Sequence, residues 1–119
     1  MNIITYAYLG DAVYELYIRK KLIDSGITKA GDLQKNAINY VSAKGQASIL
    51  DKLIKNNYLT DDEIDIIKRG RNYKKDAHPK NTDIITYKLS TGFEALIGYL
   101  YYHQKNDRLD ELLEKIEVK

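Results

Sequence analysis

Asp11 and Glu94 are the acids of this chain whose surroundings demand a chemical reason. Asp11 lies within Ile3-Ile4-Thr5-Tyr6-Ala7-Tyr8-Leu9-Gly10-Asp11-Ala12-Val13-Tyr14, and Glu94 within Phe93-Glu94-Ala95-Leu96-Ile97-Gly98-Tyr99-Leu100-Tyr101-Tyr102, the two most apolar stretches of the sequence. An ionised carboxylate taken out of water loses its hydration, and a cation or hydrogen-bond donors must replace it. Carboxylates that converge without His or Cys nearby suit a hard divalent ion: Mg²⁺ takes one or two of them, keeps several waters and binds the phosphate oxygens of a substrate. Such an ion activates water and stabilises charge on a phosphodiester under attack. Pairing of each acid with a buried cation, Arg19 or Lys88 for instance, accounts for the same pattern. Chemistry alone leaves both readings open.

The elements that carry these acids are helical. Apolar residues recur with helical period almost end to end, and no segment alternates as a strand would. A first helix is expected over residues 3–24, stopping at Ser25-Gly26, where glycine adopts a left-handed cap. Shorter helices follow over 32–40 and 42–55, the latter ending at Asn56-Asn57. Thr60-Asp61-Asp62-Glu63 has the spacing of a capping box and opens a helix to about residue 69. The longest remaining helix spans 83–104, and Asn106-Asp107 opens a last one that turns Leu109, Leu112, Leu113 and Ile116 to the core. The fold class is all-α, one compact domain over residues 1–119, with no repeat, low-complexity tract or linker.

Glycine costs about 1 kcal/mol relative to alanine inside a helix, yet Gly10 adjoins Asp11 while Gly92 and Gly98 bracket Glu94. Missing side chains there allow the first and long helices to cross closely and bring Asp11 and Glu94 to one place. Both helices are apolar around most of their circumference and are expected to be central.

Composition narrows the function classes. The 119 residues are 44% hydrophobic, enough for one core, and contain no cysteine, which excludes disulfides and thiolate metal sites and makes a reducing cytoplasm the expected location. No signal-peptide pattern and no apolar run of about 18 residues is present, so no membrane partner is expected. Net charge is only +2, but residues 66–88 carry Lys68, Arg69, Arg71, Lys74, Lys75, Lys80 and Lys88 against Asp76 and Asp83, a local charge of +5. Residues 51–65 before that run and 106–119 at the end of the chain are both net acidic. Such segregation suits a polyanion, although a solvated loop with no ligand carries the same pattern. His78 and His103 are the only histidines, too few for a His-based metal cage. His103 near a helix C-terminus complements the dipole, and Glu15, one turn after Asp11, is expected to pair with Arg19. Of eleven tyrosines most follow helical spacing, and Tyr73 in the basic loop is the exception. No Gly-x-x-x-x-Gly-Lys phosphate loop or Gly-x-Ser-x-Gly elbow occurs.

Tyr8-Leu9-Gly10-Asp11-Ala12-Val13 resembles the ribonuclease III signature, and Phe93-Glu94-Ala95-Leu96-Ile97-Gly98 resembles the second acidic motif of that family. Ser42-Ala43-Lys44, Lys68-Arg69-Gly70-Arg71-Asn72, Pro79-Lys80-Asn81 and the run from Thr86 to Tyr101 are similar to its Mini-III branch, a ribonuclease III-like endonuclease domain without a double-stranded RNA-binding domain. Larger members carry a further acid one turn before each of these two; here those positions are Ala7 and Thr91. The chain also starts only ten residues before Asp11, nearer than in many members, so a boundary or dimer contact made by a longer N-terminal segment is expected to be missing.

The resemblance implies a Mg²⁺-dependent endoribonuclease, with Mn²⁺ as a substitute, that hydrolyses double-stranded RNA to 5′-phosphate and 3′-hydroxyl ends. Asp11 and Glu94 are then both the catalytic acids and the metal ligands. It further implies maturation of 23S ribosomal RNA precursors, a symmetric homodimer and help from a large-subunit ribosomal protein. The basic run and the matching segments together nominate Lys44, Lys68, Arg69, Arg71, Asn72, Lys74, Lys80 and Lys88 as RNA contacts. A non-cleaving RNA-binding or ribosome-assembly module that kept the fold is the alternative, and a purely structural helical dimer is a further one.

Overall fold

Thr60 and Glu63 close the reciprocal cap that their spacing predicts: the Glu63 amide donates to the Thr60 hydroxyl at 3.2 Å and the Thr60 amide to the Glu63 carboxylate at 2.9 Å. The computed structural model describes residues 1–74 and 83–118. Its helices are α1 (Ile3–Asp24), α2 (Ala30–Val41), α3 (Ala43–Lys55), α4 (Asp61–Arg71), α5 (Ile84–Tyr102) and α6 (Asn106–Glu114). No strand occurs among the described residues.

Local chemistry sets most of these limits. Asn2, Ser42 and Asp83 each cap the helix that follows with a side-chain oxygen, satisfying amides that have no intrahelical partner. At the C-terminal ends, Gly26 after α1, Asn57 after α3 and Gln104 after α5 take positive φ values of 101°, 53° and 58°. Three limits differ from expectation by two residues, one of them the end of α5, at Tyr102 rather than 104. α2 starts at Ala30 rather than residue 32, and Lys29 before it provides no side-chain cap, so the sequence carries no start signal there. α4 continues through Gly70 to Arg71, because that glycine serves a helix contact and not a stop.

α5 is the spine. It packs along α1 and also touches α3, α4 and α6. Tyr14, Ile18 and Leu22 of α1 meet Phe93, Leu96 and Ile97 of α5 in a core where all six are at most 1% exposed. The Tyr14 and Phe93 rings stand edge to face, 5.2 Å apart at 87°, the arrangement aromatic quadrupoles favour. The Tyr14 hydroxyl donates to the Tyr40 carbonyl at 2.9 Å, tying α2 to the core, and burial together with Tyr40 pushes its pKa well up. Leu109, Leu112, Leu113 and Ile116 are all buried, as their spacing predicts. Lys21 closes that end by donating to the Leu113 and Ile116 carbonyls at 2.7 and 2.8 Å.

Two close crossings fix α5 against its neighbours. A Cβ on Gly10 would collide with the Glu94 carbonyl oxygen, and one on Gly98 with the Tyr6 carbonyl oxygen, so α1 and α5 touch backbone to backbone. A Cβ on Gly92 would instead meet the Ile67 carbonyl at 2.6 Å, and one on Gly70 would meet Ala95 and Gly92 at 2.9 Å. Gly10 and Gly98 therefore serve the α1–α5 crossing as expected, whereas Gly92 belongs to the α4–α5 crossing.

Candidate metal and RNA site

The α1–α5 crossing brings together the backbone segments that carry the two acids. Gly10 lies against the Glu94 backbone, and Asp11 is the next residue along α1. Their environments differ from each other and from expectation. Asp11 is exposed and Glu94 is half-buried, so the premise that both acids are withdrawn from water fails for Asp11. The physical reason lies in the outer side of α1, which no described helix covers: Tyr8, one turn before Asp11, and Leu16 farther along the helix are 84% and 71% exposed. Apolar character on that face does not report burial within a single chain.

The rival ion-pair arrangement is not observed for Asp11, which forms no ion pair among the described residues. Arg19 pairs with Glu15 at 3.5 Å along one exposed turn, as the sequence suggests for that glutamate. Glu94 accepts from the Gln46 side-chain nitrogen at 3.3 Å. Gln46 is 2% exposed and also donates to the Val41 carbonyl at 3.1 Å. Sequence reasoning passed over this residue, although Gln46, Leu50 and Leu53 follow helical spacing and form the buried face of α3. A glutamine in register with two core leucines was the available signal.

Ala7 and Thr91, where the resemblance would place further acids, are 4% and 2% exposed. Ala7 follows Tyr6, whose carbonyl meets Gly98, and the Thr91 hydroxyl donates to the Tyr87 carbonyl at 3.1 Å. Both positions are occupied by helix packing. No group of three or more His, Asp or Glu side chains suited to a metal occurs among the described residues. Two oxygen donors from separate helices, one exposed to solvent, fit a hard ion that retains most of its waters and do not fit a soft or caged one.

Two of the candidate RNA contacts border a helix crossing next to Glu94 in sequence. Arg69 and Arg71 flank Gly70, which touches α5 at Gly92 and Ala95, the residues on either side of Phe93-Glu94. Lys68, Arg69, Asn72, Lys74 and Lys88 are exposed and Arg71 half-buried, its Nε donating to Asn72 at 3.3 Å. Lys44 is exposed two residues before Gln46, in the first turn of α3. The positive end of the helix dipole opposes a cation there, so helix electrostatics do not account for it. Lys68, Arg69 and Arg71 in the last turn of α4 do complement their dipole. None of these cations forms an ion pair with a described residue, whereas Arg19, Lys20, Lys55 and Arg108 do. Lys80, with Lys75, Asp76, His78 and Pro79, lies outside the described residues. Tyr73 is half-buried and packs against the core. His103 caps α5 and shares a 2.8 Å hydrogen bond with the Tyr6 hydroxyl, away from the acids.

The Ribonuclease III domain family model matches residues 5–105. Mini-ribonuclease 3 of Enterococcus faecalis is 46% identical over 113 residues, 95% of this chain and 86% of the relative. That of Staphylococcus aureus is 44% identical over 116 residues, 98% and 87% of the two chains. A crystal structure of a Fusobacterium nucleatum protein superposes with a TM-score of 0.84 at 32% identity, covering 96% of this chain and 89% of the other.

Proposed function

The chain belongs to the ribonuclease III family and is a double-stranded RNA endoribonuclease of it, and from that premise we propose that Asp11 and Glu94 form a Mg²⁺ site that hydrolyses the phosphodiester bonds. The observation that supports this reading is the Gly10 to Glu94 backbone contact, at the crossing of the two helices that carry these acids. Asp11 and Glu94 would hold the ion, with Mn²⁺ as a substitute; when bound, it supplies Lewis-acid polarisation of the phosphodiester and activation of water. The protein's own part is positional. Glu94 is oriented by Gln46, Asp11 is held at the rim where a duplex backbone has access, and α5 fixes the separation between them.

A duplex offers phosphates and a wide, shallow groove rather than readable base edges in its deep one. Lys44, Lys68, Arg69, Arg71, Asn72, Lys74 and Lys88 supply charge around the acids suited to such a backbone, and Lys80 in the basic loop adds to their number by sequence. One catalytic centre faces one strand, so both strands require two copies of the domain. The uncovered face of α1, with Tyr8, Leu16 and Ile23 at 84%, 71% and 58% exposure, is suited to an isologous two-fold interface beside Asp11. The same reading extends to 5′-phosphate and 3′-hydroxyl products, maturation of 23S ribosomal RNA precursors in the cytoplasm and a large-subunit ribosomal protein as partner. What supports those steps is the family resemblance.

The test is cleavage of a long RNA duplex by Asp11→Asn and Glu94→Gln. Each substitution removes a charge at nearly constant volume, so folding and duplex binding are retained while Mg²⁺-dependent cleavage is lost. Cleavage near the wild-type rate by either variant refutes the site. Absence of cleavage by the unmutated protein, with duplex binding intact, favours a non-cleaving binding module.

A further inference from the structure

Gln46 is the one described residue whose buried side chain retains an unpartnered polar atom, its amide oxygen Oε1. Its amide nitrogen is committed twice, to the Val41 carbonyl at 3.1 Å and to Glu94 Oε2 at 3.3 Å. Both neighbours are acceptors, so the nitrogen must face them and the oxygen must face away; the reverse orientation would set oxygen against oxygen twice. A buried amide oxygen with no donor costs about 1–3 kcal/mol, and such an atom in a folded protein calls for a reason. Packing gives none, because a leucine or methionine at this position of the Gln46, Leu50, Leu53 face would fill similar space without the penalty. The reason is the contact with Glu94. A carboxylate that ligates an ion needs its rotamer and its second oxygen fixed from outside the coordination shell, and removal of such a partner typically lowers metal affinity or activity about 10–100-fold.

We propose that Gln46 is a positioning residue of the metal site, its amide nitrogen holding Glu94 Oε2 so that the other carboxylate oxygen is presented to a divalent ion, and its amide oxygen accepting from a water that enters with that ion. This rests on the assignment of Asp11 and Glu94 as the ligands. Val41 and Gln46 flank the start of α3, and Ser42 caps that helix through the Gly45 amide at 3.1 Å. The amide is thereby anchored to a rigid helix start rather than to a loop. Lys44, two residues before Gln46, is exposed and lies on the opposite side of the helix from it.

The experiment has a binding arm and a kinetic arm. Gln46→Met and Gln46→Asn, together with Asp11→Asn and wild type, are titrated with Mn²⁺ and the bound ion counted by electron paramagnetic resonance, and duplex cleavage is measured across Mg²⁺ concentrations. Both Gln46 variants are expected to bind Mn²⁺ about 10-fold or more weakly and to reach half-maximal rate at correspondingly higher Mg²⁺, with duplex affinity unchanged and the rate at saturating Mg²⁺ less affected. A purely structural glutamine would lower the melting temperature and leave Mn²⁺ affinity and the Mg²⁺ dependence at wild type, and that outcome overturns the proposal. In wild-type protein, which raises no question of folding, the Gln46 side-chain amide protons are followed by nuclear magnetic resonance during a Mg²⁺ titration. A saturable shift that Asp11→Asn abolishes is expected, and an amide that does not respond at saturating Mg²⁺ refutes the role. Should Asp11→Asn bind Mn²⁺ as wild type does, the ligand assignment itself falls; should Asp11→Asn lose the ion while both Gln46 variants keep it, only the role of Gln46 falls.

Discussion

Replacing Gly98 by alanine separates the acids without touching either. The new Cβ would meet the Tyr6 carbonyl oxygen and carbon and lie 2.9 Å from the Gly10 amide nitrogen. All of these are backbone atoms, so no rotamer relieves the clash. An ordinary carbon to oxygen contact of about 3.3–3.6 Å then requires α1 and α5 to part by roughly 1 Å or more. Overpacking costs about 1–3 kcal/mol, and an unyielding neighbour argues for about 3. Alanine regains about 1 kcal/mol of helix propensity, leaving a net loss of about 2 kcal/mol. For a domain of this size that corresponds to a fall of roughly 5–10 °C in melting temperature. Cleavage suffers more than stability: a displacement of about 1 Å between catalytic groups costs roughly 100-fold in rate. Gly31→Ala is the matched control. It lies in the first turn of α2, where a Cβ meets nothing within 4 Å, and it should raise stability by up to about 1 kcal/mol with unchanged cleavage. Scanning calorimetry and single-turnover cleavage on both variants decide the matter. Wild-type melting and wild-type cleavage for Gly98→Ala would show that the crossing does not set the geometry of the acids.

The Glu63–Arg108 pair gives a stability prediction with a pH signature. Arg108 donates to both Glu63 oxygens at 2.8 and 2.7 Å. Burial of Glu63 pushes its pKa up, but bonds from Arg108 and the Thr60 cap outweigh this and hold the carboxyl below its usual range. Arg108→Met leaves that charge buried and unpaired and should cost about 3 kcal/mol at neutral pH. Because the folded pKa is depressed, the wild-type advantage is present above about pH 4.3 and shrinks as pH falls through the folded value. Denaturant melts that show an equal difference at pH 7 and pH 3 contradict this account. Arg69→Ala with Arg71→Ala should weaken binding to duplexes of unrelated sequence alike and flatten the slope of log K against log salt by about one unit per lost phosphate contact; an unchanged slope moves the RNA surface elsewhere. Leu16→Glu, on the uncovered face of α1, should give a folded monomer by light scattering that no longer cuts both strands, and a persistent dimer would place the interface on another face.

Helix limits were legible where a side chain writes them and illegible where tertiary contact does. Thr60 with Glu63, Ser42, Asp83 and the Ser25-Gly26 stop are local chemistry, and the helices they bound stand where their sequence places them. α2 begins at Ala30 with no capping side chain, and α4 runs through Gly70 because α5 needs a residue without a Cβ there. Glycine spacing foretold the α1–α5 crossing but could not assign Gly92 to its partner, since spacing within one helix carries no information on which neighbour it meets. The bond from Arg108 to Glu63 joins residues far apart in sequence and left no local trace.

The sequence nominated the two acids of the proposed site but misread the environment of Asp11, and the error bears on the proposed chemistry. Apolar neighbours suggested that Asp11 is buried, when Tyr8 and Leu16 are themselves exposed on a side of α1 that no described helix covers. A buried pair of carboxylates would strip an ion of water, which Mg²⁺ resists. The observed asymmetry suits that ion better: in the proposed site Glu94, half-buried and bonded by Gln46, would be the fixed ligand, while exposed Asp11 would leave room for waters and a phosphate. A second copy seated on the open face of α1 would narrow that room beside Asp11 while leaving Glu94 untouched. Metal affinity should then depend on protein concentration through Asp11, rising as the monomers associate, and Mn²⁺ titrations of wild type and Leu16→Glu at matched concentrations read that coupling directly. Equal affinity in the two proteins would mean that each domain completes its metal site alone.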